Sequence, residues 1–175
     1  MTTRIPTWLM IAVAGVIALA AGAYVARGVW LSDGASEGSA LLNVALPDAE
    51  GHEQRLDQWR GKVMVVNFWA TWCAPCRDEM GEFVRFQKDD GAKGLQFVGI
   101  AVDQADKVRE FSKEIGLNYP ALIGGLGAMQ LSQALGNDLM ALPFTVIVAR
   151  DGKIVHRQLG PLKGPRLQEI VGKLL

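Results

Sequence analysis

Two apolar runs stand out in the middle of the chain, Val63–Trp69 (VMVVNFW) and 95–102 (LQFVGIAV). Each is continuous and rich in β-branched residues, the pattern of a strand covered on both faces. Between them, residues 75–89 place Met80, Phe83, Val84 and Phe86 on one side of a helix. Pro75 suits its first turn, where a missing N–H is harmless. Residues 106–115 carry Val108, Phe111 and Ile115 at helical spacing and stop at Gly116. A short strand, Ala121–Ile123, and a helix over 126–135 ending at Gly136 come next. Residues 144–149 read as a strand, Arg150-Asp151-Gly152 as a hairpin turn, and 153–159 as the antiparallel return. Residues 165–175 form an amphipathic helix. Upstream, 41–46 and 53–56 flank the turn Pro47-Asp48-Ala49-Glu50-Gly51 and predict a hairpin, and Asp57 is placed to cap a short turn through Trp59. This alternation predicts an α/β domain over 41–175, with a mixed central sheet and helices on both faces.

The N-terminal pattern differs. Residues 8–26 (WLMIAVAGVIALAAGAYVA) contain no charge, with Arg4 before them and Arg27 after. As a helix they would span about 28 Å, close to the thickness of a bilayer core. Trp8 and Tyr24 lie near its ends, where aromatic rings favour the membrane interface. The expectation is one transmembrane anchor, with residues 1–7 on the cytoplasmic side and a flexible Gly/Ser-rich linker over 27–40. Ala21-Gly22-Ala23 also resembles a signal-peptide cleavage site, so a cleaved leader is the competing reading. Gly124-Gly125-Leu126-Gly127 lacks the Lys-Ser/Thr of a phosphate loop and reads as a turn.

Charge narrows the function classes. Eighteen basic and eighteen acidic residues cancel, and no basic stripe supports nucleic-acid binding. Lys107, Arg109 and Lys113 with Glu110 and Glu114 read as a solvated helix face. A structural zinc wants about four Cys or His ligands. The chain has two cysteines and two histidines, His52 and His156, neither His near a Cys, so no metal site and no role for either His is assigned.

The two cysteines are Cys73 and Cys76, in Trp72-Cys73-Ala74-Pro75-Cys76. They fall at the junction of the strand 63–69 and the helix that follows. The first sulfur then sits at a helix N-terminus, where the dipole and free N–H groups stabilise a thiolate. The second lies one turn in, close enough to close a disulfide. Dithiol–disulfide exchange is the chemistry this arrangement predicts.

Phe68-Trp69-Ala70-Thr71-Trp72-Cys73-Ala74-Pro75-Cys76-Arg77 closely resembles the active-site stretch of thioredoxin-fold proteins. Ala141-Leu142-Pro143-Phe144-Thr145 resembles the loop carrying the cis-proline of that fold. Seventy residues separate Cys73 from Pro143, longer than in plain thioredoxins by an amount that fits an inserted helix and strand. Residues 106–115 and 121–123 would be that insert. With the N-terminal hairpin and the anchor, the chain resembles the TlpA/ResA-like branch, membrane-anchored thiol–disulfide oxidoreductases outside the bacterial cytoplasm. Two departures are visible. Asn67 stands where plain thioredoxins carry a buried Asp, and Gly81 stands where a Pro commonly follows the helix Glu of this branch.

The resemblance implies roles. Cys73 is the attacking thiolate and Cys76 the resolving, more buried thiol. Glu79, three residues on and on the same helix face, is the base for Cys76. Trp72 and the Leu142 backbone, beside a cis Pro143, form the substrate-binding surface, while Trp69 is core. Ala74 and Pro75 tune the reduction potential. No cofactor beyond the redox-active Cys73–Cys76 disulfide is implied. The implied partners are a disulfide-bearing substrate protein, a membrane electron donor, and the membrane itself through the N-terminal helix. The implied location is the inner membrane, with the domain in the periplasm or otherwise outside the cytoplasmic membrane. Reduction of target disulfides, including those met in cytochrome c maturation, is the expected direction. A disulfide oxidase or isomerase on the same fold, and a copper-delivery module, are the alternatives.

Overall fold

The computed structural model of the protein describes residues 15–24 and 38–175. The chain divides into two compact units, Met1–Gly34 and Ala35–Leu175. In the first, residues 15–24 are helical with Val16, Ile17, Leu19 and Tyr24 exposed. The remainder of the expected anchor, 8–14 and 25–26, lies outside the described residues, as do 27–37 of the expected linker. Among the described residues no helix is long and apolar enough to cross a membrane.

The second unit is built on a five-stranded mixed sheet. Its strands are β3 (Val63–Trp69), β4 (Leu95–Ala101), β5 (Ala121–Ile123), β6 (Phe144–Val148) and β7 (Ile154–Leu159), in the order β5-β4-β3-β6-β7. β4 is parallel to both β3 and β5, and β6 is antiparallel to both β3 and β7. Every residue of β3, β4 and β6 is buried, as their mainly apolar runs lead one to expect of strands covered on both faces. Alternation along β3 sends Val63, Val65 and Trp69 into one core and Met64, Val66 and Phe68 into the other.

Four helices cover the sheet: α1 (Ala74–Asp90), α2 (Ala105–Glu114), α3 (Gly125–Ala134) and α4 (Gly164–Val171). Met80 and Phe83 of α1, Val108 and Phe111 of α2, and Leu167 and Val171 of α4 fill the first core. Ala128 of α3, with Leu135, joins Leu41, Leu42 and Leu56 in the second. A fully buried Leu or Phe among them, such as Phe83 or Leu167, contributes about 1.5–3 kcal/mol. α1 runs unbroken through Gly81.

A separate two-stranded hairpin, β1 (Ala45–Pro47) and β2 (Glu53–Arg55), precedes the sheet. Asp48 bridges to Leu122 on β5, and the Arg109 guanidinium of α2 donates to the Ala49 carbonyl and faces Glu50. The hairpin therefore shields the short edge strand supplied by the insert.

Several expectations are corrected at the element ends. Residues 38–42 are helical, so the strand expected over 41–46 shortens to Ala45–Pro47, and the helix begins inside the expected linker. The adjacent Leu41 and Leu42 are both buried, which a helical turn permits and a half-covered strand, with side chains on opposite faces, does not. Leu56 belongs to a 3-10 turn, Leu56–Trp59, that no side chain caps, because Asp57 is engaged by Arg55. α4 stops at Val171 rather than 175, with Gly172 at its C-cap. α3 starts inside the glycine-rich turn, at Gly125. Arg109 belongs to the hairpin contact rather than to a purely solvated face.

Gly99 of β4 is where side-chain space runs out. A Cβ there would lie 2.8 Å from Trp69 Nε1. Gly99→Ala is expected to destabilise the oxidised protein by about 1–3 kcal/mol through overpacking against the indole, measured as a lower urea midpoint with an unchanged slope.

Candidate active site

β3 ends at Trp69, and the chain turns through residues 70–72 into α1. Asp103, just beyond β4, fixes that turn: its Oδ2 accepts the Thr71 N–H at 3.1 Å and the Thr71 hydroxyl at 2.5 Å. Burial opposes the charge on Asp103, but the donors from Thr71 and Gln104 prevail and hold its carboxyl below the usual range.

Cys73 is the N-cap residue of α1, with extended backbone and no side-chain cap bond. Its carbonyl accepts the N–H groups of Cys76 and Arg77, both at 3.1 Å. Its sulfur thus occupies the positive end of the helix. Cys73 and Cys76 form a disulfide with their Cα atoms 5.3 Å apart. Both residues are buried, Cys73 at 6% exposed and Cys76 at 0%. Cys73 lines a cavity, and Cys76 is wholly buried.

Glu79 lies on the buried face of α1 with Cys76, Met80 and Phe83, and is 5% exposed. Its carboxylate is held at both oxygens. Oε1 accepts from Asn67 Nδ2 at 2.9 Å, and Oε2 accepts from the Leu162 N–H at 2.8 Å. One turn on, Glu82 Oε2 accepts the Gly164 N–H at 2.6 Å, so two carboxylates of α1 pin the loop before α4. Burial pushes the Glu79 carboxyl up to about 7, with a further rise from Glu82, against the lowering bonds from Leu162 and Asn67. A group poised there exchanges protons at neutral pH.

Two cavities flank the disulfide. One, of about 500 Å³, is lined by Trp72, Cys73, Met129, Met140 and Leu142 among others. Trp72 is exposed beside it. The Leu142–Pro143 peptide bond is cis, and buried Pro143 leads into β6. Asn137 braces this loop: its side chain donates to the Ala141 carbonyl at 2.9 Å and accepts the Ala141 N–H at 3.2 Å, while Met140 takes a positive φ of 48°. The other cavity, of about 320 Å³, is lined by Pro75, Asp78, Glu79, Glu82, Pro161 and Lys163. Ala74 and Pro75 are exposed in the first turn of α1, and Pro75 lines both cavities.

The fold brings Trp72, Cys73, Ala74, Pro75 and Leu142 to one cavity, and Cys76 and Glu79 to one helix face behind it. Sequence reasoning missed Asn67 as a partner of Glu79, Thr145 as a partner of Asn67, and the bracing by Asp103 and Asn137. The signal for Asn67 was present, as the one polar residue in an otherwise apolar strand.

A disulfide whose first cysteine caps the N-terminus of a helix and lines a cavity, with the second buried one turn in and a neutral-range carboxyl beyond it, defines a thiol–disulfide oxidoreductase on a thioredoxin-like fold. Residues 36–174 match the Redoxin family, and the chain belongs to it. It is similar to thiol-disulfide oxidoreductase ResA of Bacillus thuringiensis subsp. konkukian (strain 97-27), 28% identical over 138 residues covering 78% of each chain. It is also similar to ResA of Bacillus subtilis (strain 168), 31% identical over 128 residues, 73% of this chain and 69% of that one. Among solved structures, a thiol:disulfide interchange protein of the thioredoxin family from Chlorobium tepidum TLS superposes with a TM-score of 0.68. It is 26% identical, covering 75% of this chain and 92% of the other. The chain is thus a ResA-like thiol–disulfide oxidoreductase.

The raised Glu79 carboxyl has a signed consequence for stability. Between the ordinary 4.5 and about 7, the native state binds a proton that the unfolded state has released. Stability therefore falls as pH rises through that window and levels off above it. The expected loss at this one group in the oxidised protein is at most about 3 kcal/mol. Urea midpoints from about pH 4.5 to 8.5 should show the decline in wild type and a flatter profile in Glu79→Gln; parallel profiles would rule out a raised carboxyl at this position.

Proposed function

We propose that this protein is a membrane-anchored reductant of disulfides in proteins outside the cytoplasmic membrane, with Cys73 as nucleophile, Cys76 as resolving thiol and Glu79 as its base. The observation that carries the chemistry is the placement of the buried Glu79 carboxyl, bonded at both oxygens, on the helix face of Cys76. The Cys73 thiolate attacks a substrate sulfur; the substrate disulfide breaks, its second sulfur leaves as a thiolate and takes a proton from water, and a mixed disulfide forms. Cys76 then passes its proton to Glu79 and attacks the Cys73 sulfur. The mixed disulfide breaks, the Cys73–Cys76 bond forms, and the second substrate thiolate departs. Two electrons move from the dithiol to the substrate. A membrane protein that carries electrons from the cytoplasmic side would restore the dithiol.

An extended substrate segment fits the cavity between Trp72 and Leu142, its backbone running beside residue 142 and its cysteine reaching Cys73. The charge-free run at residues 8–26 supports the anchor and the extracytoplasmic placement. The reductive direction, and clients in cytochrome c maturation, are supported by the resemblance to anchored TlpA/ResA-like proteins.

The reduction potential of the full-length protein, measured against glutathione and then dithiothreitol buffers, tests the direction. A value at or below that of thioredoxin is expected, and one well above that of glutathione would make the protein an oxidase or isomerase. Cys76→Ser should accumulate a mixed disulfide with a disulfide-bonded apocytochrome peptide. Glu79→Gln should slow resolution of the same intermediate on the order of 10²-fold at neutral pH. An unchanged resolution rate would remove Glu79 from the mechanism.

A further inference from the structure

Asn67 is 1% exposed in the middle of β3. Its Nδ2 donates twice, to Glu79 Oε1 at 2.9 Å and to Thr145 Oγ1 at 3.0 Å. Its Oδ1 is buried and has no partner among the described residues. The sheet register explains the asymmetry. On one side Asn67 faces Thr145 of β6, which is 0% exposed; on the other it faces Gly99 of β4, which offers no side chain. With the nitrogen committed to Thr145 and Glu79, the oxygen is left over.

An amide in this position has two settings. As it stands, it donates to an ionised carboxylate. A half-turn about the Cβ–Cγ bond exchanges Oδ1 and Nδ2, and the amide then accepts from a protonated carboxyl. The Thr145 hydroxyl follows either setting, because it accepts in the first and donates in the second. The Leu162 N–H serves Glu79 Oε2 in both, since a neutral carboxyl still has an accepting oxygen.

We propose that Asn67 is the positioning residue for Glu79: its amide holds the carboxylate ready, turns over when the carboxylate takes the Cys76 proton, and then accepts from the acid, with Thr145 reversing its own bond. The inference rests on Glu79 being the proton acceptor for Cys76. One proton leaves Cys76 Sγ and arrives on a Glu79 oxygen; no electrons move in that step. Other titratable or charged groups lie nearby. Cys76, Asp78 and Glu82 share its helix, Lys163 lines the same cavity from the loop before α4, and Tyr119, ahead of β5, feels the Glu79 charge. None of these is the donor to Oε1.

The test follows oxidation of the reduced full-length protein by glutathione disulfide, read by tryptophan fluorescence from about pH 4.5 to 9. The amide's bond to the ionised carboxylate is stronger than its bond to the neutral acid, so losing Asn67 weakens the carboxylate more than the acid. Asn67→Leu should therefore move the acid limb upward by about one pH unit, roughly tenfold in proton affinity. Thr145→Val, close in shape, should move it the same way by less. In a Glu79→Gln background, Asn67→Leu should leave the profile where it is. A lower rate with an unmoved acid limb, or the same loss in both backgrounds, would make Asn67 structural only and overturn the proposal. If Asn67→Leu does not fold, Thr145→Val decides: an unmoved limb overturns it. An unaltered profile in Glu79→Gln alone would instead sink the Glu79 reading and this inference with it. The side-chain amide NMR signals of Asn67 should titrate in wild type and not in Glu79→Gln; signals constant across the titration would exclude the turnover.

Discussion

A carboxylate kept from water is the constraint around which this domain is arranged. Glu79 sits on the face of α1 that packs on the sheet, among Cys76, Met80 and Phe83. A bare carboxylate there would be costly, so the fold supplies donors from two directions. Asn67 reaches it from the central strand and Leu162 from the loop before α4. Three separate parts of the chain must be in place for those bonds to exist. The loop's second tie, Gly164 to Glu82, sits one helical turn further on. A Cβ at Gly164 would come within 3.1 Å of the Glu82 carboxylate, a tight contact that its absence avoids.

The same arrangement separates two tasks. Trp72, Cys73 and Leu142 line one cavity, while Glu79 lines another with Asp78, Glu82 and Lys163. Pro75 lies on both, in the first turn of α1. A segment seated against Cys73 would therefore leave the Glu79 cavity open. Cys76 is wholly buried between these surfaces, on the helix face that carries the carboxyl.

Much of this was legible in the sequence because it followed from periodicity. The sheet strands β3, β4 and β6 announce themselves as mainly apolar runs, each with one polar residue, and α1 and α2 as 3.6-residue patterns. The Cys-x-x-Cys spacing placed the disulfide at a strand-to-helix junction. Leu41 and Leu42 were harder, since a short apolar pair fits a strand or a helical turn equally well, and only the second core decided between them. Asp57 looked like a cap, but Arg55 two residues earlier claims both its oxygens. Glu79 could be placed on the buried side from its spacing to Cys76, yet its partners could not. Asn67 and Leu162 are 12 and 83 residues away from it in sequence, and Thr145, which bonds Asn67, is 66 away; a register is needed to bring them together.

Asn67 also explains why one carboxyl suffices. An Asp at this position would put a second acid 2.9 Å from Glu79 Oε1, at the distance the amide nitrogen now occupies. Two carboxylates at that distance cannot both ionise, so they would share one proton and titrate as a pair. One member would be driven well above neutrality and the other held below it. Neither would then be a single acceptor poised near pH 7. An amide keeps the shape and the hydrogen bond and contributes no charge. The substitution that separates this chain from plain thioredoxins at residue 67 is therefore coupled to the carboxyl at residue 79, because a lone carboxyl buried on the helix and titrating near neutrality calls for a neutral donor on the strand.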